Sequence, residues 1–212
     1  RLVRLAHAAW AQSSLAPVAR PHMDALSQET GETIHLAQLD HAQVLYVDKR
    51  NARDPVEMFS QAGKIGPAYC TGVGKAMLAF LPEPELSSVL AQQSWHRFTD
   101  TTHSSAESLT RELREIRAEG LSFDREEHET GIICVAVPIL SSQSRAIGAM
   151  SVTGTTRRTS LDALRALGPR LKTAAEAIAD DVESWRFPQD HRPQNNSSQT
   201  FEGERHHVRS DA

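Results

Sequence analysis

The stretch GKIGPAYCTGVGKAMLAFLP, residues 63–82, decides how the middle of this 212-residue chain folds. Its four glycines and Pro67 are incompatible with regular structure until about Gly72. After that point apolar residues recur at helical spacing, at Val73, Met77 and Phe80. The first amides of a helix are unpaired and carry a partial positive charge, so a loop that leads into a helix in this way favours a small anion such as a carboxylate. The glycines alone would equally suit a surface turn.

The loop differs from the phosphate-binding loop of nucleotide-dependent proteins. That motif reads GxxxxGK[ST], whereas Lys75 is followed here by Ala76, and the chain offers no candidate magnesium loop. Nucleotide binding is therefore not expected, and no cofactor is expected either.

Upstream of this stretch the pattern predicts two helices and then strands. Ser13 and Ser14 are candidate N-caps of the second helix, and the polar joint at residues 40–42 suits a hairpin. The predicted elements are helices over 2–10 and 15–31 and strands over 33–39, 43–49 and 56–60.

Downstream, the pattern predicts a mainly antiparallel sheet flanked by helices. Gly120 is expected to end one amphipathic helix, Ser160 to cap the last helical segment, and Pro169 to kink that segment or break it in two. Residues 186–212 lack apolar periodicity, so we expect the tail to be disordered. The predicted elements are helices over 81–92, 105–119 and 159–185 and strands over 121–126, 132–140 and 145–154.

The composition narrows the class of protein. Hydrophobic residues make up 39% and charged residues 24% of the chain, which suffices for one folded core. The net charge of −4 gives no basic footprint for a nucleic-acid backbone, so these residues themselves are not expected to contact DNA. Cys70 and Cys134 form no disulfide framework, and no apolar run approaches the roughly 20 residues of a membrane helix. We expect a soluble, cytoplasmic protein.

A second motif, SFDREEHETGIICVAVPI at residues 122–139, combines an acidic side chain with a cysteine. Asp124 lies on one predicted strand, and Cys134 follows on the next after the turn-like HETG. Because alternate residues of a strand share a face, two such strands can aim both side chains into one pocket. A solvated charged edge and a small core cysteine are the alternatives.

A third motif, AMSVTGTT at residues 149–156, carries two hydroxyls on one side of a predicted strand. Ser151 and Thr153 point the same way, opposite to Met150 and Val152. On a concave face the two hydroxyls would bind a polar ligand, whereas a strand with one side in solvent shows the same alternation.

Asp124, His128 and Cys134 also suit a different class of protein. Carboxylate, imidazole and thiolate are zinc ligands, so a zinc-dependent or cysteine-based enzyme is the alternative function. The spacing is unspecific, however, and the chain has neither a GxSxG nor an HExxH motif. We therefore assign no catalytic residue and no metal ligand, and do not expect an enzyme.

In order and spacing, GKIGPAYCTGVGKAMLAFLP, GLSFDREEHETGIICVAVPI and GAMSVTGTTRR resemble the effector-binding domain of the IclR family of bacterial transcription regulators. The resemblance covers roughly residues 15–181. It implies an α+β fold similar to GAF domains, with a curved, mainly antiparallel sheet of about six strands flanked by helices.

The resemblance also implies a ligand site in the concavity of the sheet. Amides at the start of the glycine-rich helix would hold a carboxylate, and two hydroxyls would donate to its oxygens. One carboxyl group would accept from a ligand hydroxyl or a water, and two further side chains would line the wall. The amides are those of Gly72 and Val73, and the hydroxyls are those of Ser151 and Thr153. The carboxyl group is that of Asp124, and the wall residues are Met58 and Cys134.

The resemblance implies a winged helix-turn-helix domain upstream, as family members carry, and we expect that domain to be missing from this chain. The resemblance assigns residues 1–14 to a linker helix from that domain, 15–185 to the effector-binding domain and 186–212 to an added tail. It implies a homo-oligomer, a dimer or a tetramer, in which a small carboxylate effector changes DNA binding by the upstream domains. The alternative is a vestigial pocket in a domain that only assembles the regulator.

Overall fold

The structure, a computed structural model, describes residues 15–186. The expected first helix, the candidate N-caps of the second helix at Ser13 and Ser14, and the tail after residue 186 lie outside this range. The helices are α1 (Ala16–Thr30), α2 (Gly72–Leu78), α3 (Glu83–Ala91), α4 (Ala106–Glu119), α5 (Leu161–Ala166) and α6 (Gly168–Arg186). The strands are β1 (Thr33–Asp40), β2 (Gln43–Arg50), β3 (Ile65–Pro67), β4 (Ser122–Arg125), β5 (Ile132–Leu140) and β6 (Ala146–Thr155). Within the described range, none of the helices combines the length and the apolar character that a membrane span requires.

The six strands form one curled antiparallel sheet in the order β3-β2-β1-β6-β5-β4. A short hairpin joins β1 to β2, as the sequence predicts, and another joins β5 to β6. β1 and β6 are neighbours at the centre, where Thr33 lies opposite Thr153 and His35 opposite Ser151. The pairing therefore brings residues from the two ends of the domain side by side.

The sheet separates two hydrophobic cores. On one face, called the α1 face, α1, α5 and α6 form a core with the sheet. On the other, called the α2 face, α2 packs against the sheet, and α3 and α4 contribute to the same core. β5 shows the division, because Val135 and Val137 belong to the first core and Ala136 to the second. The strand residues at the centre of the α2 face are small, so α2 approaches the sheet closely; they are Ala37, Ala136 and Ala149.

Local sequence signals set several helix ends. Gly120, with a φ of 69°, ends α4 as predicted, and Ser105, predicted as the first helical residue, instead caps α4, because its hydroxyl accepts from the Ser108 amide. The Ser160 hydroxyl accepts from the Ala163 amide at the start of α5. The last helical segment is broken in two before Pro169, which falls in the first turn of α6, where its missing N–H breaks no helical hydrogen bond.

The predicted strand over 56–60 is wrong. These residues belong to an irregular segment, residues 51–64, and the third strand is Ile65–Pro67, inside the stretch predicted to be irregular. Val56 and Phe59 are exposed, so no burial favours a strand at that point. Proline is tolerated at the end of an edge strand, which explains how β3 accommodates Pro67.

Candidate functional site

A compact cavity of about 30 Å³ lies between the start of α2 and the α2 face of the sheet. Six of the seven predicted ligand-binding residues line it, together with seven residues that the sequence patterns did not single out as part of this site. The predicted residues in the lining are Gly72, Val73, Asp124, Cys134, Ser151 and Thr153. The additional ones are His35, Tyr46, Ser60, Thr71, His128, Glu129 and Ile132.

The seventh predicted residue, Met58, does not line this cavity. It is buried in the irregular 51–64 segment, two residues before Ser60, which does line it. Because residues 56–60 form no strand, the alternation of a strand does not direct Met58 towards the ligand site. A wall role for Met58 would need this segment to rearrange.

The start of α2 reaches the cavity because two of its residues are glycines. A Cβ on Gly72 would overlap the Cys134 sulfur on β5, and a Cβ on Gly74 would overlap the carbonyl oxygen of Ala68. Neither glycine has a positive φ, so close approach explains both of them. Without side chains here, the helix lies directly against the sheet and the preceding loop.

The first turn of α2 has no side-chain cap. Thr71 has the extended backbone of an N-cap residue, with φ −125° and ψ 142°. Its hydroxyl, however, donates to the carbonyl oxygen of Pro67 at 2.8 Å and accepts nothing from the helix. Gly72 and Val73 therefore present the positive end of the helix to the cavity without a capping side chain.

Opposite α2, a cluster of hydroxyls surrounds a buried histidine. Ser151 and Thr153 lie on β6 with their Oγ and Oγ1 atoms 3.4 Å apart, and His35 is their neighbour on β1. Nδ1 of His35 is 3.2 Å from the Thr153 hydroxyl and 3.4 Å from that of Ser151, while Nε2 is 2.7 Å from Ser60 Oγ. Burial, with a further contribution from Lys49, lowers the pKa of His35 to about 3, so the ring is neutral at physiological pH.

Asp124 and Cys134 are cross-strand neighbours on β4 and β5, as the second motif suggested. The buried Asp124 carboxyl accepts from the Glu127 amide through Oδ1 at 2.7 Å. Burial and the negative charge of Glu127 raise the pKa of Asp124 to about 8. At neutral pH the Asp124 side chain is therefore mainly an uncharged carboxyl group that can donate a hydrogen bond as well as accept one. Burial and the nearby Asp124 raise the pKa of Cys134 to about 12, which leaves a neutral thiol rather than a nucleophilic thiolate.

The 51–64 segment closes one side of the cavity through contacts with the turn after β4. The Phe59 amide donates to Glu129 Oε1 at 3.0 Å, and the Phe59 ring meets the His128 ring edge-on at 5.0 Å. The Ser60 hydroxyl contacts His35, as described above. Beyond Ile132, the same side of the β5–β6 pair continues into an open cleft of about 700 Å³, whose rim includes Thr155 and Arg157.

A network of buried charges lies behind the cavity. The fully buried Lys75 of α2 donates to Glu127 Oε1 at 2.5 Å and to Glu112 Oε1 at 2.8 Å. Burial alone would raise the pKa of Glu112, but hydrogen bonds from His103 and Lys75 hold that pKa well below its usual range. Glu112 therefore stays charged and ties α4 to α2.

The zinc-enzyme alternative does not gain support from this geometry. Within residues 15–186, the one set of three potential ligands whose atoms lie within 4.8 Å of one another is His103, Glu112 and Glu127. Asp124, His128 and Cys134 share the cavity lining without forming such a set. The two glutamates of the first set already neutralise Lys75 and Arg125, so a divalent cation would add uncompensated charge.

Comparison with known proteins identifies the family. The family model described as the bacterial transcriptional regulator IclR C-terminal domain matches residues 7–180. This chain belongs to the IclR family. XynR of Escherichia coli, a helix-turn-helix transcriptional regulator, is 32% identical to it over 179 residues, which cover 84% of this chain and 71% of XynR. The chain spans between 54% and 71% of the length of eight curated relatives.

Solved structures of IclR proteins share the fold. The Thermotoga maritima IclR matches with a TM-score of 0.80 at 31% identity, over 85% of this chain and 73% of that one. An inducer-binding domain of PobR from Acinetobacter, solved as a double mutant in complex with 3-hydroxybenzoic acid, matches with a TM-score of 0.71 at 25% identity, over 77% of this chain and 96% of that one. The names of these relatives are those of regulators, which points away from an enzyme.

Proposed function

We propose that residues 15–185 form an effector-binding domain that holds a small carboxylate in the cavity between α2 and the β1–β6 strand pair. The observation that carries the proposal is the uncapped first turn of α2 facing the Ser151 and Thr153 hydroxyls across the cavity. Amide N–H groups and hydroxyls are suitable donors to a carboxylate. Met58 joins the wall in this proposal only if the 51–64 segment moves.

The charge state of the cavity agrees with an anion held by neutral donors. His35 is neutral, and Asp124 is mainly protonated at pH 7. A carboxylate thus meets dipoles and hydrogen-bond donors at the centre of the cavity, and Glu129 is the one lining residue whose lowered pKa keeps it negative. Asp124 can donate to a hydroxyl or carbonyl oxygen of the effector. PobR, whose structure holds a hydroxylated carboxylic acid, supports this class of ligand by similarity.

The size of the cavity limits the effector or requires movement. About 30 Å³ is far below the roughly 300 Å³ of common small-molecule pockets, so this conformation accommodates only a very small group. A larger acid needs the 51–64 segment or Ile132 to move, which would join the cavity to the neighbouring cleft. We expect a short-chain acid, or a larger one that opens this side.

We infer that the complete regulator acts in the cytoplasm as a homo-oligomer, in which residues 1–14 link this domain to an upstream winged helix-turn-helix domain that binds DNA. Effector binding would shift the equilibrium between different arrangements of the oligomer, to the extent that the effector binds one arrangement more tightly than another. The ion pairs from Lys75 provide a physical link, because α2 cannot shift without disturbing Glu112 on α4.

The test is a thermal-shift and calorimetric screen of the full chain against small acids, each paired with its primary amide. The panel holds acetate and the 2-oxo, 2-hydroxy, sugar and aromatic acids. A ligand specific for the folded state adds about 2.7 kcal/mol at a hundred times its Kd, or roughly 5 °C or more in Tm. Acids should bind and their amides should not. Absence of binding by every acid would favour a domain that only assembles the regulator, and turnover with stoichiometric zinc would favour the enzyme.

A further inference from the structure

The buried histidine at the base of the cavity joins the predicted site to the 51–64 segment. His35 is 3% exposed, and each of its ring nitrogens faces hydroxyl oxygen. Nδ1 faces Thr153 and Ser151, and Nε2 faces Ser60. None of these partners carries a charge, so the arrangement is a chain of neutral hydrogen bonds that runs from the cavity to the segment covering it.

A neutral imidazole carries a single N–H, so the ring has two ways of serving these partners. With the proton on Nε2, the ring donates towards Ser60, whose main chain is also a hydrogen-bond partner, and Nδ1 accepts one of the two β6 hydroxyl protons. That arrangement leaves only one of Ser151 and Thr153 free to donate into the cavity. With the proton on Nδ1, the ring donates to the β6 hydroxyls, and both of their protons are free to point at a ligand.

A carboxylate has only acceptor atoms and therefore favours the second arrangement. In that state Nε2 has a free lone pair, and the Ser60 hydroxyl must turn to donate to it. Consecutive hydrogen bonds of this kind polarise one another, so a change at one end is felt at the other. In this exchange Nε2 gives up its proton to a water molecule and Nδ1 takes one from water. The hydroxyls of Ser60, Ser151 and Thr153 keep their protons and only rotate, so the charge of the ring and of its partners is unchanged.

We propose that His35 is a positioning residue of the effector site: a bound carboxylate moves its proton from Nε2 to Nδ1, and the change is passed to the 51–64 segment through Ser60. This inference rests on the proposed function, since it takes the carboxylate to contact Ser151 and Thr153. It adds His35 to the effector site, and it identifies Ser60 as the residue through which ligand binding affects the 51–64 segment. It also specifies the effector group at this point as an acceptor, because a donor group would hold the ring in the first arrangement.

Nitrogen NMR of the full chain with labelled histidine tests the proton shift without any substitution. The chain has ten histidines, and the His35 signals are assigned by their loss in His35→Asn. Acetate is the probe, titrated to saturation, with acetamide as its uncharged counterpart. We expect acetate to exchange the chemical shifts of the two ring nitrogens, from an Nε2–H to an Nδ1–H pattern, and acetamide to leave them unchanged.

The amide signals of Gly72 and Val73 separate failure of this inference from failure of the proposed function. If acetate shifts these amides while the His35 tautomer stays the same, the cavity binds a carboxylate and the role of His35 is wrong. If acetate moves neither set of signals, acetate does not bind in this cavity, and both the role of His35 and the proposed site fail for this short-chain acid. Movement of both sets, in proportion along the titration, supports the two together.

Two substitutions test the chain of hydrogen bonds by affinity. Ser60→Ala removes its outer end, and we expect acetate binding to weaken by about threefold to tenfold, which is the scale of one hydrogen bond. His35→Phe should weaken it by about tenfold or more, whereas His35→Asn, whose amide can replace Nδ1, should recover part of that loss. His22→Gln on α1, whose ring contacts Asp181, is the matched control and should bind acetate like the unaltered chain. Unchanged affinity in Ser60→Ala would overturn the route through Ser60, even if His35→Phe fails to fold.

Discussion

The contact of Gly72 with Cys134 allows a quantitative test of how α2 is held against the sheet. A methyl group at position 72 would overlap the Cys134 sulfur and lie 3.3 Å from the Ala136 Cβ. The backbone of Gly72 is compatible with any residue, so the cost of Gly72→Ala is steric. Overpacking of this kind costs about 1–3 kcal/mol, and a value near 2 kcal/mol corresponds to roughly 4–8 °C in Tm for a domain of this size.

The compensating change is removal of the sulfur. Cys134→Ala alone should cost about 1 kcal/mol through lost packing, yet in the Gly72→Ala background it should restore stability, because the new methyl group occupies the space of the sulfur. The expected coupling free energy between the two positions is about 1–2 kcal/mol in the stabilising direction. Urea denaturation of the four proteins in the double-mutant cycle measures it, and calorimetry with acetate shows whether ligand affinity recovers with stability.

Gly74→Ala is the matched control. Its methyl group would meet backbone atoms of Ala68 and the Thr71 hydroxyl, none of which Cys134→Ala removes. The Gly74→Ala defect should therefore persist in the double variant. Additive free energies for the Gly72 and Cys134 substitutions, within about 0.5 kcal/mol, would refute the close contact between α2 and β5 on which the cavity depends.

Four further predictions concern the polar groups of the site. Ser151→Ala should weaken carboxylate binding about tenfold in a calorimetric titration while Tm changes by less than about 2 °C, and equal affinity would argue against this hydroxyl as a donor. Because Asp124 has a pKa of about 8, carboxylate affinity should change little between neutral pH and pH 8 and fall by up to about tenfold per pH unit above it, and Asp124→Asn should remove this slope. In the unfolded chain Asp124 loses its proton near the ordinary aspartate pKa of 3.8, whereas in the folded state it keeps the proton up to about pH 8. The contribution of Asp124 to the free energy of unfolding should therefore fall between about pH 4 and 8. The difference in the free energy of unfolding between the unaltered chain and Asp124→Asn measures this fall. Lys75→Met should cost about 3–5 kcal/mol in urea denaturation because the buried Glu127 carboxylate loses its ion-pair partner, and adding Glu127→Gln should recover part of that loss. No recovery would contradict the buried ion pair.

Much of the fold follows from periodicity and chain punctuation. The predicted strand over 132–140 coincides with β5, because its apolar run is flanked by the turn-like HETG and SSQS. Gly120, Ser160 and Pro169 act as predicted, since capping and helix breaking depend on backbone geometry within a few residues. β3 was missed because a three-residue edge strand has no periodicity of its own and forms through pairing with β2.

The candidate site was less fully predictable, since part of it arises from strand pairing across the chain. Alternation within one strand correctly places Ser151 and Thr153 on the same face, and the hairpin-like second motif places Asp124 beside Cys134. His35 has no local signal that marks it as a site residue. It reaches the cavity because β1 pairs with β6 in a register that sets it opposite Ser151, and no single stretch of sequence contains that register. Its alternation with Ile34 and Leu36 was the available clue.

Two sets of contacts connect the cavity to its surroundings, one towards the 51–64 segment and one towards α4. They differ in physical character, and the difference affects how ligand binding would change the structure around the cavity. Towards the 51–64 segment the contacts are neutral hydrogen bonds and an aromatic edge, which exchange partners at small cost. Towards α4 they are buried ion pairs from Lys75, where breaking one pair leaves an uncompensated charge and costs several kcal/mol. A ligand that gains only a few hydrogen bonds can therefore rearrange the contacts towards the 51–64 segment. It can displace the ion-paired groups around Lys75 only as a unit. On this reasoning the proposed effector would rearrange the 51–64 segment most easily, whereas α2, Glu127 and α4 would move only together, as one unit.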